Sequence, residues 1–235
     1  MIGGKRAIRL LLAFAVAATG SAALVTAQEV TGSHIKRKEA GSTGRYARPG
    51  GGNSRAEFNA FARCFAENFD VKSRDVLRFA YGEKEQSEAV GRLLKLAEYN
   101  SGDCFAAYEI RAHGPATSYA GAFAEFFVVH RFGASRLGQL GDQAWRDSRT
   151  PPRNAYERFG ACVVDASAPA VFALAESVPG SAAENAAISG IAPSLSPCVL
   201  SGQQVSFDRS SLRSILSVAL YRSLSDYNAF SRGDR

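Results

Sequence analysis

Histidine is scarce in this chain, with three in 235 residues, and none stands in a spacing that supports familiar chemistry. His34 lies in a polar run, His113 just before Gly114-Pro115, and His130 near the end of an apolar stretch. There is no His-Glu-x-x-His, no Gly-x-Ser-x-Gly turn, no glycine-rich phosphate loop and no calcium-loop spacing. These absences exclude the signatures of zinc proteases, serine hydrolases, nucleotide-binding loops and EF-hands. The four cysteines, at 64, 104, 162 and 198, include no short-spaced pair. That removes a structural zinc site, a Cys-x-x-Cys redox pair and a haem attachment. No cofactor and no metal is predicted.

A concentrated basic face is also lacking. The formal charge is +6, but three of the basic residues are Lys5, Arg6 and Arg9, and residues 28 to 53 add five basic against two acidic. From Ser54 onward the signs balance, with 20 of each. A protein that neutralises many phosphates needs a local excess of cations, so no nucleic-acid partner is expected. Lys36-Arg37-Lys38 reads as a solvated charge run.

What the chain has begins with its first residues. The basic patch, the apolar run from Leu10 to about Ala18 and the small residues leading to Val25-Thr26-Ala27 form a secretory signal peptide, residues 1–27. Cleavage falls before Gln28, with a cut after Ala23 as the alternative. An uncleaved anchor would have only 18 residues from Leu10 to Ala27, interrupted by Gly20 and Ser21, at the short end of what spans a bilayer. No other segment reads as long and apolar enough to span, so no stable membrane insertion is expected after cleavage. Residues 28–54, rich in Gly, Ser, Arg and Lys, cannot bury enough apolar surface to fold and read as a disordered linker.

The body of the chain is written twice. Adding 98 takes Phe58 to Tyr156, Phe61 to Phe159, Cys64 to Cys162, Gly82 to Gly180, Val90 to Ile188 and Leu93 to Ile191. The second copy then lacks four residues before its second cysteine. Such self-similarity predicts two copies of one supersecondary unit. Copy one covers 55–132, a connector 133–153, and copy two 154–225, followed by a flexible tail at 226–235. The pattern predicts an all-α fold in which the two units pack as one domain of residues 55–225.

In copy one the spacing predicts helices from about Arg55, over Ser73–Ala80, over Glu85–Tyr99 and over Ser118–Phe132. Phe58, Phe61, Phe65 and Phe69 form the core stripe of the first. The last carries Tyr119, Phe123, Phe126, Phe127, Val128 and Val129 and is apolar almost all round, so it should be central and buried. In copy two, Ser167 before Pro169 marks a helix start, and Ser181-Ala182-Ala183-Glu184 has the spacing of a capping box. Pro193 and Pro197 should stop that helix. The closing helix shows Leu212, Ile215, Leu216, Ala219, Leu220 and Leu224 on one stripe, with Arg213, Ser217 and Arg222 opposite. Residues 108–112 and 205–207 alternate and could pair as a two-stranded ribbon. Trp145 sits in the connector, where a short helix around Leu140–Arg146 is expected.

In an exported chain four cysteines read as disulfides. Pairing within each copy, Cys64 with Cys104 and Cys162 with Cys198, closes loops of 40 and 36 residues and stabilises by roughly 3–4 kcal/mol each in the chain-entropy model. Cross-copy pairing of Cys64 with Cys162 is the alternative.

The strongest catalytic candidate is Glu125, with His130, Arg111 or His113 as partner. On the 3.6-residue period Glu125 and His130 stand roughly 140 degrees apart and share no face. Glu125 therefore reads as a dispensable, solvated or salt-bridged flank residue and Phe127 as a keystone of the core.

The units Phe58-x-x-Phe61-x-x-Cys64, Tyr156-x-x-Phe159-x-x-Cys162 and Leu212-Arg213-x-x-Leu216-x-x-Ala219-Leu220-Tyr221 resemble those of exported alphaproteobacterial proteins with cysteine-paired helical repeats. The first copy departs from them, with Tyr119-Ala120 where the second has Leu212-Arg213. The resemblance implies no activity and no functional residues. The resulting expectation is a periplasmic or secreted, non-catalytic module that binds an envelope protein or an apolar ligand. The alternative is a small periplasmic hydrolase using Glu125 with a histidine.

Overall fold

The computed structural model describes residues 54–100, 104, 114–200 and 206–232. The expected signal peptide, nearly all of the expected linker with His34, and Arg111 and His113 lie outside them. So does most of the expected ribbon, and its described residues Ser206 and Phe207 are not in a strand. Among the described residues the fold is all-α, with no strand.

Helix α1 (Ser54–Asn68) buries Phe61 and Phe65 fully and packs its stripe on α4 (Ala116–Phe127). The chain breaks at Phe69 (φ −122°, ψ 46°) and restarts as α2 (Asp70–Arg78), three residues earlier than expected, with an acid in its first turn and a base in its last. That order suits the helix dipole. A turn at Gly82 (φ 78°) leads to α3 (Lys84–Asn100). α4 is buried from Tyr119 through Glu125 and at Phe127, as its all-round apolar character requires. It runs into a π-helical turn, Val128–Phe132.

The connector forms a 3₁₀ segment (Ala134–Gly141) and α5 (Gln143–Ser148), N-capped by the Asp142 side chain. In copy two, α6 (Ala155–Glu176) is capped by Asn154 and kinked at Ser167 (φ −152°, ψ 43°). Ser167 is non-helical and separates two helical stretches, so a new helical stretch does start before Pro169, as expected. α7 (Ala182–Leu195) starts on the Ser181 hydroxyl, which accepts from the Glu184 N–H at 3.1 Å, as the capping-box spacing predicts. A 3₁₀ turn (Ser196–Cys198) and α8 (Arg209–Ser231) complete the chain.

Shifted by 98, the break at Phe69 falls on the kink at Ser167, and Gly82 falls on Gly180 (φ 81°). The disulfides are Cys64–Cys104 and Cys162–Cys198, with Cα atoms 5.8 and 5.6 Å apart, and none crosses between copies.

Two expectations need correction. The segment 226–231 is helix, not flexible tail. No Gly or Pro interrupts residues 209–231, and buried Trp145 offers Tyr227 a ring to pack on, with centroids 5.8 Å apart. The second concerns α6, which is long and apolar enough to cross a membrane, with a mean hydropathy of 1.4 over 18 residues. Its apolar surface arises because it serves α8 on one side and α7 on another.

α8 lies between α4 and α6 and approaches each at a glycine. A Cβ on Gly121 would sit 2.6 Å from the Ser214 Cα, and one on Gly160 would sit 2.8 Å from the Ala219 Cβ. A backbone atom cannot rotate away, so Gly121→Ala forces α4 and α8 apart. It should destabilise by about 1–3 kcal/mol despite alanine's better helix propensity. Gly91→Ala in α3 meets nothing within 4 Å and should stabilise by up to about 1 kcal/mol. Urea melts of the two variants should move in opposite directions.

Candidate functional site

Two features of α8 organise the polar chemistry. Arg213 and Arg222 are nine residues apart, two and a half helical turns, so they leave opposite sides of the helix. Each reaches the end of a different helix, one in residues 55–132 and the other in residues 154–225. The Arg222 guanidinium donates to the carbonyls of Leu77 and Phe79 at the end of α2. Arg213 donates to those of Ala175 (3.4 Å) and Ser177 (2.7 Å) at the end of α6. Leu77 and Phe79 become Ala175 and Ser177 on the 98-residue shift, so the two arginines cap equivalent helix ends. Both satisfy carbonyls that a helix leaves without partners.

Each cap has its own carboxylates. Arg213 makes a forked contact with Glu125, from Nε to Oε1 at 2.6 Å and from Nη2 to Oε2 at 2.9 Å, and donates through Nη1 to Glu184 Oε1 at 3.3 Å and the Ser177 hydroxyl at 2.9 Å. Glu125 also accepts from Asn59 Nδ2 (2.7 Å), Arg63 (3.3 Å) and the Ser217 hydroxyl (3.4 Å). Glu184 accepts from Arg55 (2.8 Å) and from the Gly180 N–H (2.7 Å). Burial opposes the Glu184 charge, but the Gly180 N–H, Arg55 and Arg213 outweigh it and hold its pKa below the ordinary range. Its counterpart on the shift, buried Gln86, bonds the Gly82 N–H with a neutral amide at 2.9 Å. Only copy two carries a charge there.

Of the two readings of Glu125, solvated or salt-bridged, the structure shows the ion pair, but inside the protein rather than on a flank. The Glu125 side chain is 2% exposed and that of Arg213 4%. Arg213 and Ser217, set opposite the apolar stripe, are buried too, while Arg222 is only part-buried and lines the cleft described next. α8 has neighbours on both sides, so the face opposite its apolar stripe is also covered. Phe127 is fully buried, as expected, and packs on Tyr221 at 5.8 Å between centroids. His130 stands on the π-helical turn with its ring against Phe126, 4.7 Å between centroids. Glu125 has its carboxylate engaged inside the protein and does not line that cleft.

Beside the Arg222 cap opens a cleft of about 850 Å³. Arg74 and Arg78 of α2 form one wall, Arg131 and Phe132 of the π-helical turn another, and the extended run Arg149–Arg153 with Pro151 and Pro152 a third. Tyr156 and Glu157 of α6, residues of α8 between Ile215 and Asn228, and Arg232 just after it close the cleft. The π-helical turn matters, because the shifted hydrogen-bond register ends α4 with Arg131 and Phe132 at the cleft. Seven arginines line the space against two acids, Glu157 and Asp226. Arg74 and Arg131 share Asp70 at 2.5 and 3.2 Å, Arg149 forks onto Asp165 at 2.8 and 2.7 Å, and Arg153 and Arg222 share Glu157.

Burial raises the Glu157 pKa, but the Arg153 side chain and N–H, Arg222 and the Tyr81 N–H pull it down to about 2. Tyr81 is pushed up to about 12, chiefly by burial. Neither group exchanges a proton readily near neutrality, and no histidine or cysteine is among the described lining residues. The arrangement can bind charge, but it offers little acid–base chemistry.

The depressed carboxylates set an acid limit on stability. Their folded pKa lies below the ordinary 4.5, so their contribution is complete above that value and is lost as pH falls towards 2. The melting temperature should be flat from about pH 7 to 5 and fall steeply below about 4.5. Glu157→Gln should shallow that fall in a calorimetric pH series.

The cleft arginines and the paired caps had a partial signal in the sequence. The 98-residue shift aligns Gln86 with Glu184 and Asn59 with Glu157, four side chains that all make site contacts. Nothing in the spacing says which arginine each would meet. No protein-family model, curated protein or solved structure matches the chain.

Proposed function

We propose that this is an exported, non-catalytic ligand-binding module of the cell envelope, built from two copies of one helical unit, whose ligand is an anion held in the arginine-lined cleft. The observation that carries the reading is the excess of arginine over acid around an open cleft, with no group poised to transfer protons. Guanidinium groups recognise carboxylates and phosphates through planar, forked hydrogen bonds. The volume, about 850 Å³, is in the range of small-molecule sites. The signal peptide and two disulfides support an oxidising periplasmic or extracellular setting. The arginines favour a charged ligand over the apolar one suggested by composition.

Citrate, a compact tricarboxylate, is the simplest probe. It should raise the melting temperature of the mature protein saturably, as any ligand selective for the folded state does, and maltotetraose, which is neutral, should not. Arg78 and Arg131 are 82% and 47% exposed, and their acid partners Asp75 and Asp70 are not buried, so their loss strands no buried charge. Changing both to Gln should weaken citrate about tenfold, as expected for two exposed charge contacts. No saturable effect of any anion would overturn the proposal.

A further inference from the structure

We infer that the cleft is built for an acidic oligosaccharide, a short chain of sugars bearing carboxylates at intervals, rather than for a compact anion. The inference rests on the reading of the cleft as an anion site and narrows the ligand's class.

Charge distribution comes first. A phosphate or other compact anion is held where several donors converge on one point. Here the cations come from four separate stretches of chain, α2, the π-helical turn, the run 149–153 and the end of α8. Four groups of them are already part-neutralised, by Asp70, Asp75, Asp165 and Glu157. The result is a mild positive potential spread over the cleft. A ligand with one carboxylate per sugar presents its charges with the same spread, and each arginine can keep its acid while lending a remaining N–H edge.

The uncharged surface points the same way. Tyr156 is 48% exposed although it is a large ring in a cleft, and Tyr81 holds it edge-on at 5.9 Å between centroids. Phe132 and Tyr221 form a second such pair at 6.0 Å. Two ring pairs, each fixed by its neighbour, give apolar platforms for the C–H faces of pyranose rings. Thr150, Ser225 and Asn228 also line the cleft and are donors and acceptors suited to hydroxyl groups. A single carboxylate ion would use neither the platforms nor the volume.

The test is calorimetric titration of the mature protein with tetragalacturonate, tetramannuronate, citrate and maltotetraose. At least one uronate tetramer should bind about tenfold tighter than citrate, and maltotetraose should not bind measurably. Tyr156→Ala should weaken the tetramer by about tenfold and leave citrate unchanged, because the ring contacts sugar and not charge. Its melting curve should match the parent's, since the ring is half exposed. Citrate binding as tightly as both tetramers, or a Tyr156→Ala loss equal for tetramer and citrate, overturns the glycan assignment while the anion cleft stands. Absence of binding by every anion overturns both.

Discussion

Arg213→Met should lower the unfolding free energy by about 3–5 kcal/mol, a large fraction of the 5–15 kcal/mol typical of a natural domain. The size follows from what is left behind. Without the guanidinium, Glu125 and Glu184 face each other's charge across a buried space, left to Asn59, Arg63, the Ser217 hydroxyl, Arg55 and the Gly180 N–H. The carbonyls of Ala175 and Ser177 lose a donor as well. Glu125→Ala should cost a similar amount for the converse reason, an arginine stranded inside the protein.

The decisive variant is Arg213→Met with Glu125→Met and Glu184→Gln. It replaces the cluster by apolar groups and by the amide that copy one already uses at Gln86. Such a swap of a buried ion pair for apolar residues should recover most of the loss. Urea melts of the single and combined variants measure it. A triple variant as unstable as Arg213→Met alone would show that the arginine acts as a helix cap more than as a counter-ion.

Phe127→Ala should cost about 3–5 kcal/mol through the cavity it opens. The ring is fully buried at the end of α4, edge-on to Phe126 at 5.4 Å and packed on Tyr221, with Arg131 over its face at 5.8 Å. The same ring supports the π-helical turn that carries Arg131 and Phe132 into the cleft. Loss of the side chain should therefore weaken citrate binding along with stability, and Phe127→Leu, which keeps most of the volume, should restore both. Calorimetric melts and citrate titrations of the two variants separate these effects. A Phe127→Ala protein that melts like the parent would place the residue outside the core.

The sequence by itself determined the helices and their approximate limits, and it favoured the cysteine pairing that the structure then decided. Those features are local or periodic: the Phe58–Phe69 stripe, the Ser181 cap, the positive-φ glycines at 82 and 180, and two cysteines in each 98-residue-shifted unit. It also placed Phe127 correctly, because a side chain in an all-round apolar helix has nowhere to go but inside. It failed at Glu125 and Arg213 because helical periodicity reports which face of one helix is apolar, not how many faces are covered. α8 has neighbours on opposite sides, so a face that reads as polar still enters the core, provided each charge finds its opposite there. Glu125 and Arg213 are 88 residues apart in the chain, and only the packing of α4 on α8 brings them together. The cleft depends on tertiary structure in the same way. Its arginines are scattered from Arg74 to Arg232, each unremarked in its own segment, and they become a site because the π-helical turn, the extended run of residues 149–153 and the end of α8 converge on α2.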